Sequence, residues 1–70
     1  MNVYLIEPDQ FEDLNCENPD FIRVEPILIT KGEYSGKYFL TEDNFQNPHC
    51  CHLSKDSYQI VVIESINDLI

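Results

Sequence analysis

Two four-residue runs, "VYLI" at 3–6 and "IVVI" at 60–63, constrain this chain more than any other feature. In a strand, successive side chains point to opposite faces. A run that is apolar throughout therefore needs cover on both sides. A chain of 70 residues makes one domain and buries only roughly 60% of the surface that its unfolded form exposes. One sheet of that size is short of material for two covered faces. The expectation is a sheet curled around its own core, or a sheet whose face is partly covered by another subunit. The second solution predicts a homodimer, because closed symmetric pairs are the commonest oligomers.

The remaining pattern fills in the elements. "NVYLI" reads as a first strand, ended by Pro8, which cannot donate to a ladder. Pro8 can instead open a short helix at its first position, with Phe11 and Leu14 on one face and Asp9 at the favourable positive end. An irregular acidic loop is the rival reading. "FIRVEPILIT" reads as a second strand, with Ile22 and Val24 on one face and a change of phase after Pro26. A bulge near Glu25–Pro26 would reconcile the two phases. "KGEYSGKYFLT" reads as a hairpin with "KYFL" as third strand, Gly32 and Gly36 supplying backbone freedom, and Tyr34 at its tip as a lid or an exposed contact. Thr41 is placed to cap a turn through Asn44, with Phe45 plugging the sheet. "DSYQIVVIES" is the last clear strand. In "SINDLI", Ser65 caps a helical turn from which Ile66, Leu69 and Ile70 dock back, unless the tail is a short final strand. The fold class is therefore α+β or mainly β: a small curled antiparallel or mixed sheet of about four strands with one or two short helical turns, in a single acidic domain over residues 1–70.

Charge is the strongest global property. Thirteen acidic residues face four basic ones, a formal net charge of −9, more than solubility alone requires of a small domain. Such a surface repels nucleic acid and anionic membrane and steers toward basic proteins or cations. Glu7, Asp9, Glu12, Asp13, Glu17, Asp20 and Glu25 lie within the first 25 residues, opposed there by Arg23 alone. No apolar run is long enough to span a bilayer. The start "MNVYLIEPDQ" lacks the basic and apolar regions of a secretory signal, which points to the cytoplasm.

"NPHCCHLS", residues 47–54, is the one stretch that looks like chemistry. A zinc site drawn from Cys16, His49, Cys51 and His52 is the weaker alternative, because zinc wants about four ligands arranged tetrahedrally and Cys16 stands alone. A bridge between Cys50 and Cys51 is strained: adjacent α-carbons lie about 3.80 Å apart, against a usual minimum near ~4.4 Å. Without a secretion signal, reduced thiols are expected. Spacing selects no Cys–His dyad with an orienting third group. The stretch is read as a connector whose sulfurs alternate between core and surface, with no metal, no cofactor and no catalytic residue assigned. The chain is expected to be no enzyme.

Two functions fit these observations. One is an acidic protein-binding module, at its extreme a nucleic-acid-mimicking inhibitor or accessory protein acting on a basic partner, with Glu7, Asp9, Glu12, Asp13, Glu17 and Asp20 as the contact residues. It would bind no nucleic acid or membrane directly. The small size suits an accessory protein of a virus or mobile element. The other is a structural or assembly subunit working through exposed apolar surface, with no charge-based activity.

Overall fold

A computed structural model describes residues 1–15, 17, 19–46, 49 and 53–70. Four strands, β1 (Asn2–Ile6), β2 (Ile27–Leu28), β3 (Tyr38–Thr41) and β4 (Gln59–Val62), form one sheet in the order β2-β3-β1-β4. Every pairing is antiparallel. Val3 to Ile6 lie opposite Thr41 to Tyr38, and Asn2 to Leu5 lie opposite Val62 to Gln59. "VYLI" thus forms the inner strand that its two-sided apolarity predicts. "IVVI" does not: β4 is an edge strand, with Ile60 53% and Val62 75% exposed.

Both faces of the two inner strands are covered by the chain itself. On one face Tyr4, Ile6 and Leu40 bury against Leu14, Val24 and Tyr58, with Phe11, Tyr38, Phe45 and Leu53 packed around them. On the other, Val3, Leu5 and Phe39 bury against Ile29 and Leu69, with Tyr34, Val61, Ile63 and Ile66 beside them. The apparent shortage of covering material is met by short segments that carry one or two apolar side chains each, rather than by whole helices. Edge-to-face ring contacts tighten the first face: Tyr4 with Phe45 at 4.8 Å and Phe11 with Tyr38 at 5.0 Å between centroids, a geometry that adds to simple area burial.

Among the described residues there are four 3₁₀ turns, at Pro8–Leu14, Glu42–Phe45, Lys55–Ser57 and Ile66–Asp68, where one or two were predicted, and all but the third place apolar side chains on the sheet. The first carries Pro8 in its opening turn and a capping box between Glu7 and Gln10. Phe11 and Leu14, three apart, face the core together as expected, because 3₁₀ side chains eclipse every third residue. In the second, the Asn44 side-chain oxygen accepts from the Thr41 N–H at 2.8 Å and from the Thr41 hydroxyl at 3.2 Å. Asn44 thus caps back onto Thr41 and completes a capping box, in which the Thr41 side chain faces the Asn44 N–H as expected. In the last, Ser65 Oγ accepts from the Asn67 N–H at 3.1 Å. Leu69 then docks under the sheet, its carbonyl accepting from the N–H groups of Thr30 and Lys31 at 2.7 and 3.2 Å. Ile70 stays exposed.

The segment read as a long second strand is the largest departure. Only Ile27 and Leu28 pair with β3, while Ile22 makes an isolated bridge to His49. Val24 is buried without belonging to a strand, and Ile22, predicted to share its face, is exposed. Pro26 is the physical cause, since it cannot donate a ladder bond and restricts the residue before it. In place of a bulge, the chain leaves the sheet and drops Val24 onto the first face. The hairpin follows the prediction: Gly32 and Gly36 adopt φ of 78° and 92°, conformations that glycine reaches without steric cost. Tyr34 is half-buried against the second face, a lid rather than an exposed contact. Among the described residues, no helix is long and apolar enough to cross a membrane.

Candidate acidic interaction surface

The acids of the first segment sit on and beyond the Pro8–Leu14 turn. Glu7, Asp9, Glu12, Asp13, Glu17 and Asp20 are all exposed. Asp9 and Glu12 are three apart, so the 3₁₀ geometry stacks them on one side, about 6 Å apart along the axis. The opposite side carries Phe11 and Leu14 into the core, and this packing orients the carboxylates outward. Glu7 is partly neutralised by Lys37, 3.6 Å away, and is held by its capping box. Asp13 accepts a hydrogen bond from the Tyr58 hydroxyl at 3.3 Å. Asp9, Glu12 and Glu17 have no ion-pair partner among the described residues. Glu7 and Asp13 are thus structural carboxylates, whereas Asp9, Glu12 and Glu17 are presented outward, a division that needs the folded geometry.

A second polar group lies across the first face. The Tyr4 hydroxyl donates to one oxygen of Glu42 at 2.6 Å, and Lys55 Nζ donates to the other. Lys55 also lies 5.8 Å from the ring centroids of Tyr4 and Phe45, within cation–π range. Hydrogen bonds from Lys55 and then Tyr4 hold the Glu42 carboxyl below the usual carboxylate range. The bond to Glu42 raises the Lys55 ammonium and the Tyr4 hydroxyl above their ordinary values. The Tyr58 hydroxyl is also raised, first by burial and then by the nearby Asp13 charge. These groups went unrecognised in the sequence, where Tyr4, Glu42 and Lys55 have no shared spacing and only the sheet brings them together. The Tyr58–Asp13 contact borders a cavity of about 190 Å³ lined by Asp13, Leu53, Ser54, Ser57 and Tyr58.

Of the alternative zinc ligands, Cys16, Cys51 and His52 lie outside the described residues, as does Cys50. His49 Nδ1 is buried with no hydrogen-bond partner among the described residues. Among those residues no three His, Cys, Asp or Glu side chains gather closely enough to share an ion. No family model, no curated protein and no solved structure matches the chain.

Proposed function

We propose that this chain is an acidic protein-binding module that engages a basic partner and presents its carboxylates where that partner expects a polyanion. The observation that carries the reading is the outward stack of Asp9 and Glu12, with Glu17 exposed beyond the turn, in a chain of formal charge −9. Local cations do little to cancel it. Three of the four basic side chains, Arg23, Lys37 and Lys55, already meet Glu25, Glu7 and Glu42. Attraction of this kind accelerates encounter more than it deepens final affinity, and it weakens with salt.

The test replaces Asp9 with Asn and Glu12 and Glu17 with Gln, leaving Glu7 and Asp13 to their structural contacts. Folding should persist, because exposed charges away from special features change stability by no more than about 0.5 kcal/mol. Association with a basic partner captured at low salt should slow, and its salt dependence should flatten. Equal rates and equal salt slopes for both proteins would remove this segment from the binding account.

The second reading, a structural or assembly subunit that self-associates as a homodimer, draws support from the exposed apolar side chains of Ile60 and Val62. A dimer that is insensitive to salt, seen by sedimentation equilibrium, would favour it over the charge reading.

A further inference from the structure

Among the described residues, the outer edge of β4 is left without a pairing strand. The Met1 nitrogen donates to the Ile63 carbonyl and the Ile63 N–H returns a bond to the Met1 carbonyl. Antiparallel ladders alternate hydrogen-bonded and non-bonded pairs. With Met1 and Ile63 bonded, the next bonded pairs are Val3 with Val61 and Leu5 with Gln59. The N–H and C=O groups of Ile60 and Val62 therefore point away from β1. Their side chains lie on the Tyr4 face, and they are among the most exposed apolar residues of the chain. No charge, proline or glycine interrupts residues 59–63. Those are the devices by which natural edge strands avoid unwanted pairing.

The ends of the strand carry negative charge. Asp56 precedes β4, and Asp13 reaches its start through the Tyr58 hydroxyl. Glu64 follows it, and Asp68 Oδ2 is held there by the N–H groups of Glu64 and Ser65, each 3.2 Å away. The cations nearby are already engaged: Lys55 with Glu42, the Met1 ammonium with the Ile63 carbonyl, and Lys31 with the Asn67 carbonyl at 3.4 Å.

We propose that β4 is a strand-addition edge for a basic, extended segment of a protein partner: alternating apolar residues lie against Ile60 and Val62, and Lys or Arg beyond each end meets Asp56 and Asp13 or Glu64 and Asp68. The inference rests on the reading of the chain as a binder of basic partners and names where such a partner docks. In strand addition, main-chain hydrogen bonds supply affinity and alternate side chains supply specificity. A second copy is the poorer occupant. It brings another −9 to the same place, and a four-residue edge offers far less than the roughly 1,200–2,000 Å² of a stable interface.

The probe is a capped synthetic peptide of five alternating valines and threonines, flanked by two lysines at each end. Its control carries N-methyl groups on alternate central residues, so that charge is kept and backbone donors are lost. The protein variant is Val62→Pro, which removes one outward N–H and leaves the bonds to β1 in place. Peptide binding should protect the Ile60 and Val62 amides from hydrogen exchange. It should weaken at least tenfold for the methylated peptide and for Val62→Pro, and it should weaken with salt. Equal affinity for wild type and Val62→Pro, with strong salt dependence, would overturn the edge and leave the charge reading standing. Edge-dependent binding that is indifferent to salt would support the edge and remove the charge reading. No binding of the peptide, or a wild-type dimer without peptide that Val62→Pro abolishes, would overturn the inference.

Discussion

The two edges of the sheet are built from similar apolar residues and end very differently. On β2 the outward-pointing backbone positions, by the same alternation, are residues 26, 28 and 30. Pro26 has no N–H to offer, and the Thr30 N–H is taken by the Leu69 carbonyl at 2.7 Å. Leu28 alone is left. On β4 the corresponding positions are Ile60, Val62 and Glu64, and among the described residues only the Glu64 N–H is taken, by Asp68. One edge is closed by a proline and by the folded-back tail, and the other keeps two alternate strand residues, Ile60 and Val62, open among the described residues. Between these two edges of similar apolar side chains, the difference lies in where a few backbone bonds go.

The largest disturbance would reach both edges at once. Phe39 is fully buried, lies opposite Leu5 on β1 and pairs with Ile27 on β2. Phe39→Ala should cost about 3–5 kcal/mol. Native stability is only about 0.05–0.15 kcal/mol per residue, so much of the population should unfold in a urea titration. A cost under about 1 kcal/mol would contradict the placement of Phe39 between the edges.

Proline substitution separates the sides of one strand. Val61→Pro removes a bond to Val3 and leaves a buried carbonyl unpaired, which should cost at least about 2 kcal/mol. Val62→Pro should cost less than about 1 kcal/mol, because edge strands tolerate proline where the N–H faces solvent. Similar losses in thermal or urea unfolding would mean that the register is wrong.

The polar group beside β4 adds a pH signature. Glu42 is held below its ordinary value, so its contribution is present above the normal carboxylate range and is lost as pH falls through the lowered value. Lys55 and Tyr4 are raised, so their contributions are present below their ordinary values and are lost as pH rises through the raised ones. Glu42→Gln should therefore lower stability near neutrality, with the difference from wild type fading in acid. An equal difference at every pH would show that packing, not charge, holds Glu42.

The inner strands were legible because "VYLI" and "KYFL" are dense in strand formers and are bounded by Pro8 and by the glycine turn. The first and last 3₁₀ turns were legible through Pro8 and Ser65, local signals that act within one turn. The strand order was not legible, since nothing in "IVVI" distinguishes an inner strand from an edge whose outer side is left bare. Val24 was misplaced because its burial comes from a loop that Pro26 forces off the sheet. Among the acids, exposure could be anticipated from charge alone. The engagement of Asp13 by Tyr58 joins residues 45 apart and has no local signature.

The difference between the two edges is open to one direct measurement, residue-resolved amide hydrogen exchange on the free protein. The Ile60 and Val62 amides should exchange close to the rate of an unfolded chain, while those of Val61, Ile63 and Thr30 are slowed at least about a hundredfold by their bonds. Protection of Ile60 and Val62 equal to that of Val61 would show that the β4 edge is already covered, and would contradict the account.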